Sequence, residues 1–228
     1  MIGVNNSANS SAFSTMNDYI AERSPGSDGD EFQRGLGQAR LDAEENALPA
    51  PSYAVGSLLT ALAAAGSPAH GAVAVTPAAG VVGLHILHGL PEKATLTCIE
   101  PEAEHQAGAR DAFRTAGYAS SRARFLTARP LDVMSRLAPS SYHLVYADVA
   151  AVDMSVLLRA AWPLLAPGGT LVIADSLLDG TLADDTRRDR DTEAARALWA
   201  DADALAESDG AVVTRLPLDG GLTLVTRR

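Results

Sequence analysis

Residues 142–175 read YHLVYADVAAVDMSVLLRAAWPLLAPGGTLVIAD, and this stretch decides the fold. Two apolar runs, YHLVYAD (142–148) and TLVIAD (170–175), flank a segment with the apolar spacing of a helix, and each run ends in an aspartate. Apolar runs separated by a helix of this length are typical of a parallel βαβ unit. We therefore expect Asp148 and Asp175 at the carboxyl ends of two neighbouring strands.

The same alternation extends along the chain from residue 49. Further apolar runs lie at 72–76, 95–100, 123–127, 211–216 and 222–226, and helical patterns at 52–65, 81–88, 102–116, 131–137, 153–165 and 184–206. The link between the last two runs is too short for a crossover helix, so these runs should pair antiparallel. The sequence predicts an α/β fold with a doubly wound, mostly parallel, seven-stranded Rossmann-like sheet that ends in an antiparallel hairpin.

Residues 1–45 differ in composition from the rest of the chain. They are rich in serine, asparagine, glycine and acidic residues, and their two helical patterns, at 13–23 and 31–46, lack a wide apolar face. Segments of this kind bury too little apolar surface to fold by themselves. We expect a flexible, partly helical N-terminal arm over residues 1–45 and one domain over residues 46–228.

The charge balance excludes several classes of protein. The 228 residues carry a formal net charge of −10, with one lysine, Lys93, and one cysteine, Cys98. Phosphate contacts need a basic face, so nucleic acid is not an expected partner. One cysteine excludes an internal disulfide. The uncharged stretch 46–91 is broken by prolines into pieces shorter than the ~20 residues of a membrane span, so we expect a cytoplasmic protein without a membrane partner.

Ligands of doubly wound sheets bind outside the carboxyl ends of the strands. The first strand leads into VTPAAGVVG (75–83), where glycines allow a tight turn into a helix with free N–H groups, although the GxGxxG pattern of dinucleotide-binding enzymes is missing. Glu100 ends the second strand, where a carboxylate can accept hydrogen bonds from two ribose hydroxyls. An ordinary turn at 75–83 and a simple helix N-terminal acid at Glu100 are the structural alternatives.

Three interpretations of Asp148 and Asp175 remain open. Two carboxylates on adjacent strand ends can hold a hard divalent cation, to which Ser176 adds a hydroxyl. Asp148 can instead contact a bound cofactor, or both aspartates can cap the turns that follow them. His85 and His88 lie one helical turn apart without a third ligand at clear spacing, which favours core or surface positions for both.

The order of these motifs resembles a known family. The segments AAWPLLAPGGTLVIADSLLDG (160–180) and LPLDGGLTLVTRR (216–228) are its most specific parts, and the similarity covers roughly residues 48–228. They resemble the class I S-adenosylmethionine (SAM)-dependent O-methyltransferases of the catechol and caffeoyl-CoA type, and most closely a divergent bacterial branch. The resemblance implies that residues 46–228 form a SAM-dependent methyltransferase domain.

The resemblance also implies a reaction and a set of site residues. The reaction is methyl transfer from SAM to a hydroxyl oxygen of a small-molecule acceptor by a homodimeric enzyme. A divalent cation of the Mg²⁺ type would be bound by Asp148, Asp175 and Ser176. The residues that would contact SAM are Ser52, Thr76, Pro77, Ala78, Gly80, Val82, Glu100, Arg129 and Asp148.

The chain departs from the family pattern at several of these positions. The family's first motif, E-x-G-x-x-x-G-x-S, is represented here by Ala74, Thr76, Gly80 and Val82. Its third metal ligand is asparagine, where this chain has Ser176. The family's lysine after the fourth strand, which acts as the catalytic base, is replaced by Ala151. The one lysine of this chain, Lys93, is expected at the opposite edge of the sheet and cannot take over this role. Asp148 and Asp175 are therefore the candidates for the catalytic base.

Two other functions remain as alternatives. A methyltransferase fold with altered donor and metal motifs could serve as a non-catalytic binding or scaffold protein. A nicotinamide-dependent Rossmann enzyme fits less well, because the glycine fingerprint is missing and a terminal antiparallel hairpin is expected. The enzyme hypothesis, SAM-dependent O-methyl transfer, is the one that the motifs favour.

Overall fold

The computed structural model of the chain describes residues 6–23 and 30–228. Its centre is a seven-stranded sheet with the strand order β3-β2-β1-β4-β5-β7-β6. The strands are β1 Gly71–Val75, β2 Leu96–Ile99, β3 Ala123–Leu126, β4 Tyr142–Ala147, β5 Leu165–Ile173, β6 Val212–Leu216 and β7 Leu222–Thr226. Strands β1 to β5 pair parallel, and β7 pairs antiparallel with both β5 and β6. This confirms the predicted sheet and its terminal antiparallel hairpin.

Helices cover both faces of the sheet. They are α1 Asn6–Arg23, α2 Glu31–Glu45, α3 Tyr53–Ala64, α4 Ala79–Gly89, α5 Ala103–Thr115, α6 Pro130–Val133, α7 Ala151–Ala161 and α8 Arg190–Asp209. Alternate residues of β1 enter two separate cores. Ala72 and Ala74 pack in the core that contains residues of α2 to α5, whereas Val73 and Val75 pack in the core that contains residues of α7 and α8. Burial on both faces explains why the β1 run is continuously apolar.

Helix α2 packs closely on the domain. Its residues Gly35, Leu36, Ala39 and Ala43 are buried, and a Cβ at Gly35 would lie 2.5 Å from the Cβ of Ala116 and 2.6 Å from the carbonyl oxygen of Ala112. Small residues allow this close approach, and for that reason the apolar face of α2 was not recognised in the sequence. The division of the chain at residue 46 stays a prediction, although α2 forms part of the packed body.

Several element boundaries differ from the sequence prediction. The helix expected at 153–165 ends at Ala161, and β5 begins at Leu165, five residues before the expected start. Gly168 adopts a positive φ of 78° within β5, a conformation that glycine tolerates. The helix expected from residue 184 begins at Arg190, where the Asp189 carboxylate accepts a hydrogen bond from Thr192 N–H. Within the described ranges, each helix is too short or too polar to cross a bilayer.

Candidate active site

The carboxyl ends of β1, β4 and β5 are aligned by the register of the sheet. Val75 pairs with Ala147, and Ala147 pairs with Ile173. The N–H of Asp148 donates to the Val75 carbonyl at 2.8 Å, and the N–H of Ala174 donates to the Ala147 carbonyl at 2.9 Å. The predicted acids Asp148 and Asp175 therefore lie at the same edge of the sheet, as the sequence indicated.

The loop between β1 and α4 is held by the side chain of Thr76. Its hydroxyl accepts a hydrogen bond from Ala78 N–H at 3.2 Å and donates to the Asp148 carboxylate at 3.5 Å. Thr76 is 1% exposed, at the position where the family pattern has a glycine. The contact at 3.5 Å is long, so Asp148 keeps most of its capacity to accept hydrogen bonds.

Glu100 follows β2 and is 7% exposed. One oxygen of its carboxylate, Oε1, accepts a hydrogen bond from Glu102 N–H at 3.0 Å and lies 3.3 Å from Nδ1 of His105. These contacts fix the carboxylate near the first turn of α5. Since both contacts involve Oε1, the geometry among the described residues leaves Oε2 for a ligand.

A cavity of about 300 Å³, which we call the donor-side cavity, lies between α2, α5 and the start of α4. Helix α4 begins after Ala78, whose methyl side chain cannot accept hydrogen bonds from the first N–H groups of the helix. Free N–H groups at a helix N-terminus favour a negatively charged ligand group. The residues that line the cavity are Ala39, Asp42, Ala43, Asn46, Leu48, Pro77, Ala78, Gly80, Val81, Glu104, His105, Gly108 and Ala109.

A second cavity of about 110 Å³, which we call the acid pocket, lies at the ends of β4 and β5. Its polar lining consists of Tyr146, Asp148, Asp175 and Asp219. Asp219 comes from the turn between β6 and β7, and its carboxylate accepts a hydrogen bond from Ser52 N–H at 2.9 Å. The apolar walls are Pro49, Ala50, Pro51, Val55, Ala174 and Leu222.

Burial and neighbouring carboxylates disfavour the charged forms of Asp148 and Asp175. Burial, together with the charge of Asp175, raises the pKa of Asp148 to about 6. Burial and the charges of Asp179 and Asp219 raise the pKa of Asp175 as well. A carboxylate with a pKa near neutrality is suited to accept a proton during catalysis.

Gly220 lies close to Asp175. A Cβ at Gly220 would collide with Oδ1 of Asp175 in its present position, so a larger residue there would require this exposed carboxylate to move. Asp175 itself has a positive φ of 56°, an uncommon conformation for a residue with a side chain. The Asp175 carboxylate therefore lies at the exposed edge of the acid pocket, beside Gly220.

Ser176 does not fit the predicted role of third metal ligand. Its hydroxyl is 1% exposed, lies 2.8 Å from the Thr223 hydroxyl and donates to the Gly221 carbonyl at 3.3 Å. The side chain therefore contacts β7 and its preceding turn rather than the carboxylates. Within the part of the chain that the structure describes, no group of three or more His, Cys, Asp or Glu side chains could hold a metal ion. The donor set does not fit a divalent cation, and the chemistry below uses none.

The other residues predicted to contact SAM differ in their exposure and in whether they line the donor-side cavity. Ser52 is the N-cap of α3, and its hydroxyl accepts a hydrogen bond from Val55 N–H at 3.3 Å. Val82 is fully buried in the core, so its side chain does not line the donor-side cavity. Arg129 is exposed and lies 3.7 Å from Asp132 in an ion pair. Pro77 and Gly80, in contrast, line the donor-side cavity.

Sequence reasoning missed two residues of the acid pocket. Tyr146 lies two residues before Asp148, and residues i and i+2 of a strand share a face, so this signal was present. Asp219 was part of the quoted motif LPLDGGLTLVTRR, but it was not assigned a place in the site. Its carboxylate reaches the site because the turn between β6 and β7 returns to the start of α3.

Comparison with known proteins identifies the family. A family model described as "Methyltransferase domain" matches residues 77–176. A protein of Mycolicibacterium vanbaalenii named "Putative O-methyltransferase" is 38% identical over 189 residues, which cover 83% of this chain and 82% of the relative. The chain belongs to the O-methyltransferase family. A relative from Mycobacterium marinum with the same name is 34% identical over 84% of both chains.

Solved structures agree with the assignment of this chain to the methyltransferase fold. A Corynebacterium glutamicum protein is 52% identical, with a TM-score of 0.86 over 95% of this chain and 97% of that chain. The O-methyltransferase TomG from Streptomyces achromogenes, solved in complex with SAM, shares the fold with a TM-score of 0.79 at 22% identity over 95% and 97% of the two chains. These structures confirm the predicted fold, and the sequence relatives confirm the predicted enzyme class.

Proposed function

We propose that this methyltransferase transfers the methyl group of SAM to a hydroxyl oxygen of a small-molecule acceptor, with an aspartate as the base. The observation that carries the proposal is the position of Asp148. Its carboxylate contacts Thr76 in the loop before α4 and also lines the acid pocket. Asp148 thus lies between the expected positions of the donor and the acceptor.

The proposed donor site uses the β1–α4 loop and Glu100. The N–H groups at the start of α4 would bind the carboxylate of the methionine portion, because the donor-side cavity borders on Ala78, Gly80 and Val81. The free oxygen of the Glu100 carboxylate would accept hydrogen bonds from the ribose hydroxyls. The sulfonium of SAM carries a positive charge, which the neighbouring acid pocket attracts. The roles of Ser52, Pro77 and Arg129 at this site stay proposals.

The reaction needs alignment and one proton acceptor. The acceptor oxygen attacks the methyl carbon in line with the carbon–sulfur bond, an O–CH₃ bond forms, and the C–S bond breaks. The sulfonium becomes a neutral thioether, so the donor leaves as S-adenosylhomocysteine (SAH). The hydroxyl proton passes to Asp148 or Asp175, whose raised pKa values suit a general base.

The experiment that tests this function is mass-spectrometric detection of SAH. The full-length protein is incubated with SAM, EDTA and a panel of phenols and alcohols, and the products are compared with those of Asp148→Asn. SAH formation that depends on both acceptor and Asp148 is the expected result. SAM binding without SAH formation across the panel would instead favour the non-catalytic alternative, which the replacement of a loop glycine by Thr76 makes worth testing.

The homodimer implied by the resemblance remains a prediction. It is checked by light scattering coupled to size-exclusion chromatography of the purified chain, where a mass twice that of the 228-residue chain is expected. A mass of one chain across the tested concentrations would contradict it.

A further inference from the structure

The side chain of Tyr146 is buried, and the proposed reaction does not yet use its hydroxyl. Tyr146 is 2% exposed and lines the acid pocket. Among the described residues, none forms a hydrogen bond with this hydroxyl, and its oxygen is not one of the fully enclosed atoms that lack a partner. An unpaired hydroxyl on a buried side chain that lines a cavity indicates a place for a ligand atom.

The protonation state of Tyr146 fixes the direction of that hydrogen bond. The ordinary pKa of a phenol is about 10, well above neutral pH. The hydroxyl therefore keeps its proton, and it can donate to a ligand oxygen. The three carboxylates, in contrast, can accept hydrogen bonds when they are charged. The acid pocket thus combines one donor with several acceptors.

The charges around the acid pocket are unbalanced. The lining found among the described residues includes three aspartates and neither lysine, arginine nor histidine. Arg40 of α2 attracts Asp219, but it lies outside the lining of the pocket. It stacks on the ring of Tyr53 at 3.8 Å and donates to the Pro51 carbonyl at 3.2 Å, and its Nε and Nη2 atoms have no partner among the described residues. A ligand that supplies positive charge and N–H donors would relieve the repulsion between the carboxylates.

A metal ion is not the ligand that this arrangement fits. The hydroxyl of Ser176, which would complete a metal site with Asp148 and Asp175, is paired with Thr223. A protonated amine requires no fixed coordination number and uses three directed N–H donors. The apolar walls of the pocket, which include Val55 and Leu222, suit the hydrocarbon part of an organic cation.

We propose that the acceptor carries a protonated amine near its reacting hydroxyl, that the carboxylates of the acid pocket bind the amine, and that Tyr146 donates a hydrogen bond to the hydroxyl oxygen. The proposal rests on the proposed function, since it names the acceptor class of the same site. In this proposal, Tyr146 positions the acceptor, and Asp219 and Asp175 select an acceptor that carries a positive charge. The aspartates should repel acceptors that carry a carboxylate in place of the amine.

The test is calorimetric titration of three matched probes into the full-length protein in EDTA, with and without SAH. The probes are 3-hydroxybenzylamine, 3-hydroxybenzyl alcohol and 3-hydroxybenzoate, which differ in one ring substituent that is cationic, neutral or anionic. We expect the amine to bind about 10-fold more tightly than the alcohol, and the benzoate not to bind. Equal affinity for the amine and the benzoate would overturn the proposal.

Variants separate the two parts of the recognition. Tyr146→Phe removes only the hydroxyl and should weaken the amine and the alcohol alike, by about 3- to 10-fold. Asp219→Asn should weaken the amine alone and reduce its preference over the alcohol, and Asp175→Asn serves as a second variant if Asp219→Asn fails to fold. Unchanged affinities in Tyr146→Phe, or an amine preference that persists in the aspartate variants, would contradict the proposal.

This experiment distinguishes failure of the acceptor class from failure of the proposed function. Probe binding is measured without turnover, whereas methyl transfer depends on SAM and is measured as SAH. If SAM binds and SAH forms from neutral or anionic acceptors only, the acceptor class is wrong and the proposed function stands. If SAM does not bind, the proposed function is wrong, and with it the assignment of the acid pocket as an acceptor site.

Discussion

The two halves of the site differ in how far their polar groups are paired within the chain. On the donor side, Glu100 is bound by Glu102 N–H and His105, and Thr76 accepts a hydrogen bond from Ala78 N–H. On the acceptor side, carboxylates with raised pKa values surround the unpaired hydroxyl of Tyr146. The donor side is therefore preorganised, whereas the acceptor side is electrostatically incomplete until a ligand binds.

This contrast indicates where ligand binding should change the protein most. A site whose polar groups are already paired gains little stability on binding beyond the contacts of the ligand itself. A site with repelling carboxylates also gains from the removal of that repulsion. Substitutions on the acceptor side should therefore alter turnover and pH dependence, and substitutions on the donor side should alter affinity for SAM.

The largest expected effect is that of Asp148→Asn on turnover. Removal of the proposed base should lower kcat by about 100- to 1000-fold, while the affinity for SAM changes much less. Initial rates of SAH formation and calorimetric titration of SAM measure the two quantities. Asp153→Asn, an exposed aspartate at the start of α7, is the matched control. A variant with nearly the wild-type kcat would remove Asp148 from the mechanism.

The pKa of Asp148 predicts opposite pH effects on activity and stability. The charged form is the base, so the rate should fall as the pH drops below about 6. Because the folded pKa is raised above the unfolded value of ~3.9, the native state binds more protons between these values, and the Asp148 contribution to stability falls as the pH rises through this window. Urea unfolding at pH 5 and pH 8 should show a smaller loss of stability in Asp148→Asn than in the wild type. An equal loss in both proteins would contradict the assigned pKa.

The next effect in size is that of Glu100→Ala on SAM binding. Loss of a carboxylate that accepts from two ribose hydroxyls should raise the Kd for SAM by about 10- to 100-fold. Asp111→Ala, which removes an exposed carboxylate of the following helix α5, should leave the Kd unchanged. Equal Kd values for both variants would show that Glu100 does not bind the donor.

Two glycines of α2 test whether this helix forms a wall of the donor side. Gly35→Ala should destabilise the protein by about 1–3 kcal/mol, since the new Cβ would overlap with Ala116 and the Ala112 carbonyl. Gly37→Ala has open space around its Cβ and should stabilise the protein by roughly 0.5–1 kcal/mol through helix propensity. Denaturant unfolding measures both. Identical effects of the two substitutions would indicate that α2 is a loosely attached arm.

The smallest expected effect is that of Ser176→Ala. Loss of the hydrogen bond to Thr223 should cost about 1 kcal/mol of stability, with methyl transfer in EDTA unchanged. Thermal unfolding and SAH formation measure these effects. The control is Thr170→Val, which removes the hydrogen bond between the Thr170 and Thr226 hydroxyls away from the site. Loss of activity in Ser176→Ala that Mg²⁺ restores would support the metal site after all.

Much of the fold could be read from the sequence because the relevant forces are local and periodic. Apolar runs with acidic ends specified the strands, and the connection lengths specified which pairs are parallel. The α2 packing could not be read, because glycine and alanine give a weak apolar signal even where they permit close helix contact. The start of β5 was missed because a proline and two glycines precede its apolar run.

The site could be predicted only in part. Asp148 and Asp175 were found because strand ends meet at one edge of a parallel sheet. The orientation of Ser176 depends on its contact with β7, and the entry of Asp219 depends on a turn that comes 71 positions after Asp148 (219 − 148). Such long-range contacts carry no local sequence signal. They decide here that three aspartates and a tyrosine, rather than a complete metal site, line the proposed acceptor pocket.

The central claim, a preformed SAM site that requires no metal, is tested most directly by calorimetric titration of SAM into the full-length protein in EDTA. We predict one site per chain with a Kd of roughly 1–100 μM, unchanged when Mg²⁺ replaces EDTA. Absence of binding at about 1 mM SAM, or binding that appears only with Mg²⁺, would contradict the account.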